Sequence, residues 1–151
     1  MRIAVGCDNL GLDLKHFVME VLKEHGVEYE DLGSYPDELV DYPDVGAKVA
    51  EAVAEGSFDR GILICGTGIG MAIVANKVAG IRAGVAHDTY SAERLRKSND
   101  AQILAMGALI IGREPARKVV EAWLPSEFQG GGSAPKVAKI NKLDEKYRSK
   151  S

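Results

Sequence analysis

The sequence has few of the residues that mark several common classes of protein. Two cysteines occur, Cys7 and Cys65, and without a Cys-x-x-Cys spacing they predict neither a disulfide framework nor a zinc site. Lysine and arginine number 19 against 22 acidic residues, so no basic surface for nucleic acid or an anionic membrane is expected. No apolar run approaches the roughly 18 residues of a transmembrane helix, and the first residues lack the features of a signal peptide. We therefore expect a cytoplasmic protein.

The composition that is present is that of an ordinary globular protein, with 46% hydrophobic and 27% charged residues. A chain of this length buries roughly two thirds of its unfolded surface, which is enough for one core. We predict a single domain over residues 1–151, made of an α/β core over 1–129 and a Gly-rich hinge with a C-terminal helix over 130–151.

Strand-like segments alternate with segments of helical periodicity about five times. The strand-like segments read RIAVGC, VEYEDLG, GILIC, IRAGVAH and ILAMGALIIG. GILIC has no polar alternation, which is typical of a parallel strand buried on both faces. The alternation predicts an α/β fold: a Rossmann-like, doubly wound sheet of five parallel strands with helices on both faces, in the flavodoxin-like order 2-1-3-4-5.

A last helix is predicted beyond the Gly-rich segment FQGGGSAP. Val137, Ile140, Leu143 and Tyr147 recur at spacings of three or four, which gives this helix one apolar stripe. Such a helix is not stable alone, so the stripe must pack on its own subunit or on a neighbouring one. The sequence leaves both options open.

The ends of strands one and three are the most informative segments. In an open parallel sheet, ligands bind outside the carboxyl ends of the strands, and these two strands are neighbours in the predicted order. Strand one ends in Cys7, Asp8 and Asn9, and strand three ends in Cys65 followed by GTGIG, residues 66–70. We expect both segments to line one crevice, with the two cysteines near enough for an oxidative disulfide.

Residues 66–70, here called the anion loop, are predicted to bind a negative charge. The glycines allow a tight turn in which the backbone N–H groups of Gly66, Gly68, Ile69 and Gly70 converge ahead of a helix. Such a loop can hold a phosphate or the developing oxygen of an enediolate. The complete Gly-x-Gly-x-x-Gly and P-loop motifs are lacking, so a nucleotide is not expected.

Two side chains at the anion loop have proton-transfer chemistry. Cys65 directly precedes the loop, where converging N–H groups favour a thiolate that acts as a base. A cysteine at a strand end also commonly fills the core, so both roles are open. The Thr67 hydroxyl can relay a proton between adjacent oxygens, or it can simply stabilise the turn.

Further polar residues are expected at the same edge of the sheet. Asp8 and Asn9 can hydrogen-bond sugar hydroxyls, or they can form an Asx turn that opens the first helix. His87 ends the fourth strand and is expected on this edge. The segment Ser98-Asn99-Asp100, in the loop before the fifth strand, is expected there too.

Five segments also carry a family resemblance: VGCDN, DYPD, GILICGTGIGMAIVANKVAGIRA, SNDAQILAMG and EAWLPSEFQGG. In this order they resemble the ribose-5-phosphate isomerase type B and galactose-6-phosphate isomerase family of sugar-phosphate isomerases, over nearly the whole chain. The resemblance implies a cytoplasmic aldose–ketose isomerase that acts on a small sugar phosphate through a cis-enediol, without a metal or other cofactor. It also implies a homodimer or homotetramer with sites shared between subunits.

The resemblance assigns roles residue by residue. Cys65 matches the base that moves a proton between C1 and C2, and Thr67 matches the residue that assists transfer between O1 and O2. GTGIG matches the oxyanion loop, Asp8 a ligand of sugar hydroxyls, and Asn99 the asparagine near the reacting carbons. Some relatives have a glutamate base at the position of Met71, which here cannot accept a proton.

The sequence departs from the family pattern at several positions. Asn9 and Ser98 stand where common members have histidines, and the second of these histidines is credited with opening the sugar ring. Leu109 replaces one phosphate-binding arginine, and Lys136 supplies a single positive charge near the others.

Three functions follow from this pattern. The family default is isomerisation of ribose 5-phosphate. The run HDTYSAER followed by SND resembles a branch associated with erythrulose 4-phosphate, which cannot close a five-membered ring and needs no ring-opening histidine. Alternatively, His87 supplies the missing acid. A non-catalytic phosphosugar-binding module is the third hypothesis, because a fold guarantees no activity.

Overall fold

The structure is a computed structural model that describes residues 1–148. Within this range five strands alternate with α-helices. The strands are β1 (Arg2–Cys7), β2 (Glu28–Asp31), β3 (Arg60–Cys65), β4 (Ala83–Val85) and β5 (Ile103–Gly107). The helices are α1 (Leu12–Glu24), α2 (Tyr42–Ala54), α3 (Ile69–Ala75), α4 (Thr89–Lys97), α5 (Arg113–Trp123) and α6 (Ala134–Arg148).

Local signals in the sequence set the ends of several helices. Gly26 follows α1 with a positive φ of 67°, a conformation that glycine adopts without strain. Pro43 lies in the first turn of α2, where its missing N–H has no partner to lose. The Asp88 carboxylate accepts the N–H of Ser91 at 2.7 Å and so caps the first turn of α4.

All five strands are parallel and the helices cover both faces, which confirms the predicted fold class. The order is β2-β1-β3-β5-β4, so the predicted order 2-1-3-4-5 is wrong at one edge. β4 has three residues, and Val85 is exposed, whereas every residue of β5 is buried. The longer apolar strand therefore takes the interior position, and the short one lies at the edge.

The core has two layers separated by the sheet. Side chains of β1, β3 and β5 alternate between a layer against α1, α4 and α5 and a layer against α2 and α3. In β3, Ile62 and Ile64 enter the first layer, whereas Leu63 and Cys65 enter the second. Each fully buried aliphatic side chain contributes about 1.5–3 kcal/mol relative to exposure, so this strand is firmly held.

β5 is shorter than the segment ILAMGALIIG predicts. The strand ends at Gly107, whose carbonyl accepts the N–H groups of Ile110 and Ile111, both at 3.0 Å, in a turn. Leu109 and Ile110 are therefore not strand residues, and their side chains are 71% and 59% exposed. This leaves apolar surface beside the carboxyl edge of the sheet.

The C-terminal helix α6 docks on its own chain through polar contacts. Arg82 donates to the side chain of Asn141 at 2.8 Å, and the N–H of Gly80 donates to Asp144 at 2.9 Å. Of the predicted apolar stripe, Val137 is buried but Ile140, Leu143 and Tyr147 are 45%, 58% and 60% exposed. The predicted segment 130–151 extends beyond the described residues at 149–151. Among residues 1–148, no helix is long and apolar enough to cross a membrane.

Candidate active site

The anion loop joins the carboxyl end of β3 to α3, with the Cys65 thiol beneath it. Cys65 is the last residue of β3 and is buried. Its Sγ accepts the backbone N–H of Gly68 at 3.2 Å. The loop therefore directs a backbone N–H donor at the sulfur of Cys65.

Two glycines allow the anion loop to lie directly on the end of β5. Gly68 has a φ of +81°, and a Cβ atom on it would come within 2.8 Å of the carbonyl carbon of Met106. A Cβ on Gly107 would come within 2.6 Å of the Cα of Thr67. Because the backbones touch, the loop takes its position from β5 as well as from β3.

The N–H groups of the anion loop and of the next residue, Met71, fall into two sets. Those of Gly68 and Ile69 are bound within the loop, to the Sγ of Cys65 and to the Oγ1 of Thr67 at 3.2 Å. Those of Gly70 and Met71 belong to the first turn of α3, where an N–H has no partner inside the helix. The N–H groups of Gly70 and Met71 are therefore the ones available to bind an oxyanion. The Thr67 side chain is exposed beside them.

Asp8 and Asn9 lie on the same edge and are both engaged with the backbone. The N–H of Asp8 donates to the carbonyl of Ile64 at 3.1 Å, which places Asp8 next to the end of β3. One carboxylate oxygen of Asp8 accepts the N–H of Leu10 at 3.0 Å, the Asx turn that the sequence allows. Asn9 donates to the Glu38 carbonyl and accepts the Val40 N–H, so its side chain fixes the loop before α2.

His87 is on this edge as well, two residues beyond the end of β4 at Val85. Its Nε2 accepts the backbone N–H of Gly107 at 2.8 Å. Burial lowers the pKa of His87 from its usual value, and the negative charge of Asp88 partly opposes this. The imidazole is thus joined to the end of β5, beneath the anion loop.

The structure places Ser98 and Asn99 at the opposite edge, and the expectation that they share an edge with Cys65 is wrong. Arg82, which directly precedes β4, donates to the carbonyl of Asn99 at 3.3 Å. A loop that precedes a parallel strand lies at its amino end. From Gly61, at this end of β3, to Cys65 is four residues or about 13 Å.

Lys136 is also far along the chain from the anion loop. It is exposed in the first turn of α6, and the segment before α6 is tied to the end of α4, where Gln129 donates to the carbonyl of Lys97 at 3.2 Å. That end of α4 lies at the amino edge of the sheet, with Ser98 and Asn99.

The prediction that Cys7 and Cys65 lie near enough for an oxidative disulfide is wrong. Cys7 pairs with Ile64 in the sheet register and packs in the layer against α1 and α5. Cys65 packs in the layer against α2 and α3, on the other side of the sheet. Both cysteines are free, and burial raises the pKa of the Cys7 thiol.

Two side chains with no predicted role, Tyr42 and Leu10, lie against the anion loop, and so does Leu109, which stands at a family arginine position. The Tyr42 ring lies so close to Gly70 that no Cβ would fit between them. Leu10 and Leu109 flank Gly66, at 3.3 and 3.5 Å from the position of a Cβ there. Tyr42 belongs to DYPD, one of the five segments that carry the family resemblance, which assigned this residue no role. No group of three His, Cys, Asp or Glu side chains in residues 1–148 is placed to hold a metal ion.

A buried thiol under a glycine loop, at the carboxyl edge of a parallel sheet, defines a small α/β domain suited to acid–base chemistry on an anionic substrate. The chain belongs to the Ribose/Galactose Isomerase family, whose model matches residues 3–140. Among solved structures, it is similar to the ribose-5-phosphate isomerase B of Clostridium thermocellum, with a TM-score of 0.94 and 50% identity over 97% of this chain and 99% of that one.

Two curated relatives are equally similar in sequence. The ribose-5-P isomerase B of Listeria innocua is 53% identical over 148 residues, 98% of this chain and 100% of that protein. The D-erythrulose-4-phosphate isomerase of Pectobacterium atrosepticum is 53% identical over 141 residues, 93% of each chain. Overall sequence identity therefore strongly supports membership of the isomerase family, and it is the same for the relatives named for the five-carbon and the four-carbon substrate.

Proposed function

We propose that this chain is an aldose–ketose isomerase that interconverts ribose 5-phosphate and ribulose 5-phosphate. The observation that carries the proposal is the contact between the Sγ of Cys65 and the N–H of Gly68 at 3.2 Å, within a loop whose next N–H groups have no helical partner. This contact supports the proposal, because isomerisation through an enediol requires a base beside an oxyanion site.

In the proposed reaction, the Cys65 thiolate removes the proton from C2 of the open-chain aldose. The electron pair forms the C1–C2 double bond, and the carbonyl oxygen O1 takes the negative charge near the N–H groups of Gly70 and Met71. The Thr67 hydroxyl passes a proton from O2 to O1. The Cys65 thiol then returns its proton to C1 as C2 becomes the carbonyl, which restores the thiolate.

Asp8 orients the substrate hydroxyls in this proposal. The Asx turn uses one of its carboxylate oxygens, the second accepts a hydroxyl of the sugar, and the residue lies next to the end of β3. Asn9 contributes by holding the loop at residues 38–40 beside the site. A free thiol is needed for the base, and both cysteines are free. We propose that the protein acts in the cytoplasm, as the family resemblance implies.

We further propose a homodimer in which each site is shared. The resemblance gives Asn99 a place near the reacting carbons and Lys136 a place near the phosphate, yet both lie at the edge away from Cys65 in their own chain. A second copy that presents this edge to the anion loop would complete the site. Exposed apolar side chains around the loop support such an interface: Leu10, Ile69, Leu109 and Ile110.

A four-carbon substrate, erythrulose 4-phosphate, is the second candidate. Ser98 favours it, since this residue stands where common family members have the ring-opening histidine and the linear tetrulose needs no such step. Steady-state kinetics with both sugar phosphates decides between them. A higher kcat/KM for ribose 5-phosphate supports the first assignment, whereas a preference of tenfold or more for the tetrulose, about 1.4 kcal/mol, overturns it.

A further inference from the structure

The sheet ladder between β4 and β5 ends before β5 does. The last backbone bond runs from the N–H of Ala86 to the carbonyl of Ala105 at 3.2 Å. The chain then turns away toward α4. Gly107, the next buried residue of β5 on this side, pairs with Cys65 of β3 but has no strand residue beside it on the β4 side. The Nε2 of His87 accepts the N–H of Gly107 at 2.8 Å and takes the place of the missing carbonyl.

Gly107 is the point where β5 supports the anion loop. Its Cα is so close to Thr67 that an added Cβ would lie 2.6 Å from two backbone atoms of that residue. The two residues after Gly107 continue the contact, since Ala108 donates to the Cys65 carbonyl at 2.8 Å and Leu109 donates to the Gly66 carbonyl at 3.0 Å. A shift of Gly107 therefore moves the loop that carries the base.

The hydrogen bond determines the protonation state of His87. A ring nitrogen that accepts an N–H carries no proton, so the imidazole is neutral and its proton resides on Nδ1. A proton on Nε2 would set two donors against each other and break the bond. In this arrangement Nε2 has no proton to give to a substrate. The proton on Nδ1 belongs to a neutral imidazole, which is a far weaker acid than the imidazolium form.

We propose that His87 is a positioning residue: as the neutral Nδ1–H tautomer it holds Gly107, and through Gly107 it fixes Thr67 and Gly68 of the anion loop. The imidazole acts through β5 and does not touch the substrate. The consequence for turnover rests on the isomerase function proposed above, whereas the structural role does not.

The surroundings of His87 favour the neutral form. Burial lowers its pKa, and the opposing charge comes from Asp88, whose carboxylate is itself bonded to the N–H and hydroxyl of Ser91. β4, β5 and the anion loop carry no charged or titratable side chain, and the titratable Cys65 lies next to them at the end of β3. Acidification below the ordinary histidine value of 6.5 would protonate His87 and release Gly107.

Three variants separate positioning from acid catalysis. His87→Gln places an amide oxygen near the Nε2 position, so it can accept the Gly107 N–H but cannot titrate. His87→Ala removes the acceptor. His16→Gln is the matched control, because His16 is exposed on α1, away from β5.

Activity is measured as kcat and KM over a range of pH. We expect His87→Ala to lower kcat roughly ten- to a hundredfold with a smaller change in KM, since the loop stabilises the developing charge more than the ground state. His87→Gln should retain most of the wild-type kcat. It should also remove the part of the decrease in activity at low pH that protonation of His87 causes. His16→Gln should leave both unchanged. Equal losses in the Gln and Ala variants would overturn the proposal in favour of an acid.

Nitrogen-15 NMR of the free protein tests the structural role without turnover. We expect the His87 signals of the Nδ1–H tautomer near neutral pH, and a Gly107 amide resonance that titrates with His87 on acidification. In His87→Ala the amide resonances of Thr67 and Gly68 should shift. An Nε2–H tautomer, or unchanged Thr67 and Gly68 resonances, would overturn the proposal. If the wild-type protein isomerises neither sugar, the proposed function is wrong. The spectra of the free protein test the positioning role of His87 independently of that result.

Discussion

Gly68 donates its backbone N–H to the Sγ of Cys65 at 3.2 Å from a left-handed conformation with φ +81°. The same residue lies against the Met106 backbone, where a Cβ would approach to 2.8 Å. The thiol, the turn of the anion loop and the end of β5 therefore form one rigid unit. The first prediction follows from this double requirement for glycine.

Gly68→Ala should destabilise the protein by about 2–5 kcal/mol, the sum of left-handed strain and overpacking against β5, and should also lower kcat. Gly80→Ala is the matched control, because Gly80 has a φ of +84° but nothing lies within 4 Å of its added Cβ. This control should cost about 1–2 kcal/mol and leave kcat intact. Urea unfolding and steady-state kinetics make the comparison, and equal effects of the two variants would contradict it.

The shared site predicts that two inactive variants complement each other. Cys65→Ala lacks the base, and Asn99→Ala lacks the group contributed from the other edge. In a mixed dimer one site is complete, so an equimolar mixture refolded together should recover about a quarter of wild-type activity. Each variant refolded alone is the control. No recovery in a mixture that light scattering shows to be dimeric would indicate that one chain supplies the whole site.

The docking of α6 predicts a local change in hydrogen exchange. The Asp144 carboxylate accepts the Gly80 N–H, and this bond, with the nearby Arg148, lowers the pKa of Asp144. Asp144→Ala should therefore speed amide exchange at Gly80 and along α6 at neutral pH. Glu145→Ala, a neighbour in the same helix, is the control. An unchanged Gly80 rate would contradict the docking contact.

The same carboxylate predicts how α6 responds to pH. Because the folded pKa of Asp144 is lowered from 3.8, its stabilising effect is complete above 3.8 and disappears as pH falls through the folded value. Exchange at Gly80 in the wild-type protein, corrected for the intrinsic rate, should approach that of Asp144→Ala only below pH 3.8. A difference that already vanishes near pH 6 would assign the effect to another group.

The locations of Cys65 and Asp8 could be predicted because they depend only on which strand each residue follows. Both follow parallel strands, and the carboxyl ends of parallel strands share one edge. The same rule puts a loop before a strand at the amino end, so Ser98 and Asn99 should have been assigned to the opposite edge. The order of β4 and β5 was predicted wrongly because the alternation of strands and helices does not determine where a strand lies in the sheet. The short length and the exposure of β4 are the features that indicate an edge strand.

Other features depend on contacts between residues far apart in sequence. The bond from Gly107 to His87 joins residues 20 apart, and the Tyr42 ring meets Gly70 through the packing of α2 on α3. The faces of Cys7 and Cys65 follow from the register of β1 against β3, which no single segment determines. These relationships come from three-dimensional packing, and they are the ones that position the anion loop.

The most direct test of the account is proton NMR of the isomerase reaction in deuterated water with Cys65→Ala. Ribose 5-phosphate is the substrate, and Cys7→Ala is the matched control because that thiol packs on the other face of the sheet. We expect the wild-type protein and Cys7→Ala to form ribulose 5-phosphate with deuterium entering at C1, and Cys65→Ala to bind the sugar phosphate without conversion or exchange. Conversion by Cys65→Ala at the wild-type rate would contradict the assignment of Cys65 as the base.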